Sequence, residues 1–568
     1  MAIGTTIGVA AVSAPASAER ARASLAPPQA APPGIVPSNE GHRPSRRLYR
    51  VGARGRRKGV PISLAPSPRT LVFPVASPVT EEGWDNDAHR VTYNPTQQLV
   101  WEPLAFPRVA PDADGVWTPR PGDPEPRLAT SWEGSPDARR WRLSIRPGVR
   151  SASGNELTSE DVRWGLARSL ELRALGRWRL RRIGGLPGPE AISAAGRYTV
   201  DFELARPNPQ FASYLVFPSN LVVDAAEARR HASDADPWAV RWLERQPAGF
   251  GAFVLAEQAD GVIELRAHPG YWAGRPGLDA VVQVGVESRE RAIALFERGD
   301  ANAVFGLYPE ELARLSGRPG VELRRVRYNH STLEFDFRRP PFDDRRLRQA
   351  VRLALPYDRI LRDVYGGYGR RSYGPVSSAT LHHASALGRY ETDRGEARRL
   401  VAASAYPQGV ETELYIDPTP ESLRFAEVAR PALAAVGVQV EVRLLRPPPD
   451  TASAPMWFKN ECSHAVNEAG YELGHDYDSP AGLRDPLWFR DRRWTERLKE
   501  VRGTPAGEQP RAYLEVQREL LDFAPCVHVA EVETGIAFDE RLSPWGRGEE
   551  CLGTRAAVWS GTRGVLGA

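Results

Sequence analysis

The stretch 141–172 constrains the fold of this chain more than any other. Trp141-Arg-Leu-Ser-Ile145 alternates apolar and polar side chains, the period of a half-buried strand. Pro147-Gly148 then supplies the turn chemistry that ends it. Thr158 is suited to cap a helix, and Asp161 three residues on completes an acidic capping box. Val162, Leu166 and Leu170 recur at helical spacing, with Arg163, Arg168 and Glu171 expected on the opposite face. The predicted unit is strand, tight turn, capped amphipathic helix. A second composite unit follows later, with a strand over 411–416, a helix over 421–436 and a strand over 438–445. This β-α-β order predicts a sheet with helices on its faces.

With 568 residues the chain can bury large cores and form two to four domains. Its 41% hydrophobic and 26% charged residues are those of a soluble globular protein, and no stretch approaches the ~20 apolar residues that span a bilayer. The net charge of +4 is unevenly spread. Residues 43–58 carry eight cations and no anion, so the rest of the chain has 67 basic against 71 acidic residues. A mildly acidic body lacks the basic face of a nucleic-acid-binding protein, and the run itself reads as a solvated tail. Three cysteines, Cys462, Cys526 and Cys551, give no disulfide framework; three free thiols are expected, with one bridge and one leftover thiol as the alternative.

Residues 1–68 are rich in Ala, Pro, Ser, Gly and Arg and keep no apolar period, so a disordered leader or linker is expected. Its first part ends in Ala16-Ser17-Ala18, which is like a signal-peptide cleavage site. It reads either as the end of a signal peptide or as an Ala-rich tail.

From residue 69 onward a series of motifs keeps a fixed order. They are Trp101-Glu-Pro-Leu104, Leu128-Ala-Thr-Ser-Trp-Glu133, and Arg146-Pro-Gly-Val149 with Leu157-Thr-Ser-Glu-Asp-Val162. Next come His268-Pro-Gly-Tyr-Trp-Ala-Gly-Arg-Pro-Gly-Leu-Asp279, Pro340-Pro-Phe-Asp-Asp344 with Arg348-Gln-Ala350, and a last helix ending in Ala524-Pro525. Together, over about 69–545, they resemble the family 5 extracytoplasmic solute-binding proteins, the oligopeptide, dipeptide and nickel-type receptors of ABC importers. Phe250, Ala252, Phe253 and His268 depart from the family pattern.

The resemblance implies an α/β, two-lobed, periplasmic-binding-protein-like fold (type II, Venus flytrap). Lobe one would comprise 69–325 with an inserted subdomain at 117–235, lobe two 326–532, and 533–568 would return to lobe one. The strands near 327–337 and 526–532 would be the crossings. It also implies a monomer that captures a peptide-like small solute between the lobes and hands it to an ABC permease, outside the cytoplasm, with no chemical step and no cofactor. A non-transport sensor or an enzyme on the same fold is the other class left open.

No nucleophile elbow, phosphate loop or His-Glu-x-x-His helix is present. Gly249-Phe-Gly251 reads as a turn requiring positive φ. The densest polar segment is Cys462-Ser-His464 with Tyr471-Glu-Leu-Gly-His475-Asp-Tyr-Asp478. Cys462, His464, His475 and Asp478 are chemically able to bind metal, but their spacing matches no metal site, and none is expected. The resemblance implies instead that this segment lines the cleft, with Asp476 or Asp478 receiving a ligand ammonium and Tyr471 beside them. It likewise puts Trp457 and Trp84 where aromatic walls of the pocket would stand.

Overall fold

The computed structural model describes residues 66–76, 83–85, 96–120, 122, 124–172, 175–216, 222–259, 261–372, 374–388, 390–445, 454–463, 468–478 and 492–542. The expected leader up to residue 65, with residues 16–18 and the basic run, lies outside this set, as do His464, Cys551 and residues 543–568.

A four-stranded sheet is ordered Thr70–Val75, Ala280–Gly285, Val262–Ala267, Phe253–Ala259; the first pair is parallel and the others antiparallel. A second, fully antiparallel sheet is ordered Ala129–Gly134, Arg140–Ile145, Thr199–Glu203, Ile192–Gly196. Beside it lies the capped helix, Ser159–Glu171. One Asp161 carboxylate oxygen accepts the Thr158 N–H at 2.8 Å, closing the acidic side of the capping box; the other accepts the Ala225 N–H at 2.9 Å. The cap thereby ties two helices together. Arg168 corrects the expected polar face. It is buried, donates to both oxygens of Asp85 and to the Trp238 carbonyl at 3.0 Å, and so turns inward.

Among the described residues the largest sheet has nine strands. Its main path is Ala303–Leu307, Cys526–Asp539, Val321–Phe335, Met456–Ser463, Val410–Ile416, Val438–Leu444. The β-α-β unit of the sequence is present, with helix Pro420–Ala434 between the two parallel strands. Strands Val321–Phe335 and Cys526–Asp539 are 15 and 14 residues long and pair antiparallel from Val321↔Asp539 to Glu334↔Cys526. The second runs well past the expected 526–532, while the first starts before the expected 327 and ends at Phe335. Their register shifts between Arg327 and Asn329 and between Ser331 and Thr332.

These two strands connect two separate cores. Val326, Ile536 and Phe538 pack with Leu71, Phe73, Leu143 and Leu265 in the first. Leu333, Phe335, Val527 and Val529 pack with Leu347, Ile416, Phe425 and Phe458 in the second.

Glu102, buried in the first core's region, accepts from Arg127 Nε at 2.6 Å, Tyr271 Oη at 2.9 Å and Trp272 Nε1 at 2.8 Å. The Arg146 guanidinium lies 4.1 Å from the Trp272 ring centroid. In the second half, buried Arg348 donates to the carbonyls of Phe342 (2.6 Å), Phe523 (2.7 Å) and Ala524 (2.9 Å).

Gly249-Phe-Gly251 is a correction. Neither glycine has a left-handed φ. A Cβ on Gly251 would fall 2.2 Å from the Leu99 carbonyl oxygen, and one on Gly249 would fall 2.2 Å from Trp101 Cδ1. Close backbone approach to the short helix Gln97–Val100, and not φ, requires glycine here.

Candidate functional site

Where the two strands pass from one core to the other, their side chains become polar while staying buried. Arg327, His330, Ser331 and Thr332 lie on one strand, Glu531, Glu533 and Thr534 on the other. Buried charges of this kind require partners, and the partners come from elsewhere in the chain. Arg327 donates to Glu533 of the neighbouring strand and to Asp112 of the ribbon Val109–Pro111/Trp117–Pro119, both at 2.6 Å. Burial works against the Asp112 carboxylate, but the Val116 N–H, Arg327 and the Asp114 N–H outweigh it and hold the group below the usual carboxylate range. Glu531 accepts Arg370 Nε at 2.7 Å, the Ser378 N–H at 2.8 Å and the Ser378 hydroxyl.

Helix Ala469–Tyr477 stands beside this polar band. Glu468 caps it, accepting the Gly470 and Tyr471 N–H groups at 2.8 and 2.9 Å, and also accepts the Tyr214 hydroxyl at 3.0 Å. Glu472 accepts the Ser377 N–H at 2.8 Å, the Ser377 hydroxyl at 3.1 Å and the Thr380 hydroxyl. Ser377 Oγ is in turn 3.5 Å from His330 Nδ1. The His330 ring lies 5.3 Å from that of His528, whose Nε2 is 2.9 Å from the Tyr477 hydroxyl. One helix, one loop and two strands thus share a continuous polar assembly.

Three of the five residues singled out in the sequence are together on or at the end of this helix. Asp476 is buried, and its Oδ1 lies 3.0 Å from Nδ1 of the neighbouring His475. Asp478 follows the helix and is held by Arg182, by the Thr495 hydroxyl at 2.7 Å and by Arg502 at 3.4 Å. Tyr471 packs within the first core. Trp457 is on strand Met456–Ser463, packed with Leu445 and Ala454; its indole N–H has no partner among the described residues. Lys459 lies 5.9 Å from its ring centroid. Nearby, burial raises Asp417 to about 6 in spite of Lys459. Trp84, like Tyr471, is in the first core, donating to Gln258 at 2.6 Å and meeting Trp101 edge-on at 6.4 Å.

Of the residues weighed as metal ligands, His464 and the Cys462 side chain lie outside the described residues, and Asp478 is engaged by arginines. Among the described residues no group of three or more His, Cys, Asp or Glu is arranged to hold a metal ion. Cys526 is buried and in no disulfide among the described residues; its Sγ lies 3.3 Å from the Tyr477 hydroxyl and 3.4 Å from His528 Nε2. The sequence reading missed Glu468, Glu472, Glu531 and His330. Their signal was weak: a charged residue inside an apolar strand, and two further glutamates in or just before a segment already noted for its aspartates.

Residues 123–478 match the family described as bacterial extracellular solute-binding proteins, family 5, middle region. That is more than half of the chain. It belongs to the family 5 bacterial extracellular solute-binding proteins. Among its relatives is the heme-binding protein A of Haemophilus influenzae, 26% identical over 337 residues, covering 56% of this chain and 61% of the relative. Another is the dipeptide-binding protein of Escherichia coli K12, 25% identical over 339 residues, covering 56% of this chain and 62% of the relative. The matches therefore span about three fifths of these relatives' own lengths. The solved structure of the periplasmic binding protein DppA of Helicobacter pylori, in complex with the peptide STSA, aligns with a TM-score of 0.67 at 18% identity, over 84% of this chain and 96% of that one. The fold is the two-lobed α/β periplasmic-binding-protein fold. Members of this family are solute-binding proteins, and no helix among the described residues is long and apolar enough to cross a membrane.

Proposed function

We propose that this chain is the substrate-binding protein of an ABC importer, which captures a peptide-like small solute between its lobes and delivers it, unaltered, to a membrane permease outside the cytoplasm. The observation that carries this reading is the pair of long strands that leaves one core, turns polar at Arg327–Glu533, and enters the other. Two half-molecules joined in this way can change their mutual angle through a few residues, and a ligand between them selects the closed arrangement by differential affinity. The register shifts near Arg327 and Ser331 are the proposed hinge. Lobe one is proposed as 69–325 with the subdomain 117–235 and the return 533–568, and lobe two as 326–532. Peptide is favoured because the Escherichia coli relative is named for dipeptide binding and the Helicobacter pylori protein was solved with a peptide.

Asp476 is the proposed acceptor of the ligand ammonium, since a buried carboxylate and an ammonium make a strong, selective, charge-assisted pair. Trp457 is proposed as an aromatic wall that also offers an indole donor. Asp478 is proposed to shape the same end of the site from behind, with Tyr471 and Trp84 as apolar support.

Native mass spectrometry of the purified protein tests the class: a small solute retained at one per chain is expected. Calorimetric titration with a dipeptide and tripeptide series tests peptide binding, and D476A is expected to weaken it by about 2–5 kcal/mol. A chain that retains nothing and takes no heat from any peptide would sink the peptide reading.

A further inference from the structure

Three guanidiniums converge on Asp478, which ends helix Ala469–Tyr477, and no other carboxylate joins it there. Arg182 comes from the widened helical turn Arg179–Gly184, Arg206 from the loop after strand Thr199–Glu203, and Arg502 from helix Arg492–Gly503. Arg182 and Arg502 both donate to Asp478, the second at 3.4 Å. Arg502 Nη1 also reaches the Gly470 carbonyl at 3.2 Å. Arg206 donates to the Arg182 carbonyl and is in no ion pair among the described residues. The Nε atoms of Arg182 and Arg502 are buried and have no hydrogen-bond partner among the described residues.

The charges do not balance. Asp478, wholly buried, supplies one negative charge, and the helix end adds roughly half of another. The other carboxylates in reach have partners of their own. Glu468, at the opposite end of the helix, accepts the Gly470 and Tyr471 N–H groups and the Tyr214 hydroxyl, and Glu496, near Arg182, pairs with Lys499 at 2.7 Å. Burial, with the neighbouring Arg502 and Arg182 cations, pushes Arg206 down to about 10 in spite of Asp478. Elsewhere the chain matches its buried guanidiniums: Arg168 and Arg327 meet carboxylates of their own, and Arg348 meets carbonyls. Buried cations short of counter-charge are costly, and a fork of N–H donors suits the two oxygens of a carboxylate or phosphate.

We propose that Arg182, Arg206 and Arg502 form an oxyanion subsite, a place for a carboxylate or phosphate group, with Arg206 as its selective member. The subsite is two residues along the chain from Asp476, and it reaches solvent at Arg182, whose side chain is 37% exposed. It deepens the solute-binding reading and rests on that reading for its purpose: the solute class narrows to molecules that carry an acidic side chain or a phosphate. A free phosphate ion has the same chemistry and would take the same donors.

Two calorimetric titrations of the full chain, stripped of solute by unfolding and refolding, test it. Inorganic phosphate alone should bind at about one per chain, and R206Q should weaken it at least about tenfold, the worth of one charge-assisted hydrogen bond. Alanine tripeptides with Glu at each position in turn are set against their isosteric Gln partners. Glu should be favoured at one position by at least about tenfold in wild type. R206Q should erase that preference, which a merely structural loss would leave in place, and R206K should keep part of it. Circular dichroism checks that the variants are folded; should they fail to fold, the phosphate titration and the Glu-against-Gln comparison in wild type decide. Phosphate binding with no Glu preference would keep the subsite and assign it to a free ion. Neither phosphate binding nor a Glu preference, or both surviving in folded R206Q, would overturn it. A chain that took phosphate through Arg206 and bound no peptide would lose only the importer reading.

Discussion

Glu102, Tyr271 and Trp272 come from two separate sequence motifs and Arg127 immediately precedes a third; with as many as 170 positions between partners, they meet at one buried carboxylate. Arg348 does the same in the second half, joining the Pro-Pro-Phe-Asp-Asp motif to the Ala-Pro stop through three carbonyls. The residues that make the family recognisable are thus largely struts. Removing one partner of a buried ion pair leaves the other uncompensated, so E102A is expected to cost about 3–5 kcal/mol, measured by urea denaturation. R348M should cost about 1–3 kcal/mol for each carbonyl left dry, read in the same way. Asp417 offers a test through pH. Burial holds it near 6, above its ordinary 3.8, so the neutral acid is the form the fold prefers. Its contribution to stability is present below about pH 4 and is lost as pH rises through about 6. Unfolding free energies taken across that interval should show this slope in wild type and lack it in D417N.

At the scale of elements, the capped helix Ser159–Glu171 and the β-α-β unit were read from local pattern alone, because caps, turns and apolar period act within a few residues. Strand Cys526–Asp539 was underestimated for the opposite reason. Glu531 and Glu533 look like the end of a strand in a sequence, and partners on other elements, Arg370 and Ser378 for the first and Arg325 and Arg327 for the second, allow them to continue inside one. Arg168 misled likewise, since its partner Asp85 lies 83 positions away. Gly251 illustrates contact in place of conformation. G251A would drive a methyl group into the backbone of Leu99, with no flexible side chain to yield, and should lower stability by about 1–3 kcal/mol. A thermal melt unchanged in G251A would show that helix Gln97–Val100 can move aside.

For the whole molecule, two cores linked by two strands predict imperfect cooperativity. In differential scanning calorimetry the stripped chain should unfold with a calorimetric enthalpy above its van't Hoff enthalpy, and a bound solute should bring the two together. A single two-state transition in the stripped protein would mean that the cores unfold as one.

The order of the motifs and their local chemistry were enough to read the family, the α/β class and most of the individual elements, because those depend on residues close together in the chain. The candidate site was only partly visible. The 471–478 segment stood out by composition, yet its helix, the burial of its carboxylates and the commitment of Asp478 to two arginines could not be seen there. Which charges are buried, and whom they face, depends on groups hundreds of positions apart being brought within about 3 Å. Electrostatics in a low-dielectric interior is decided by such distances, and distance is what folding alone creates.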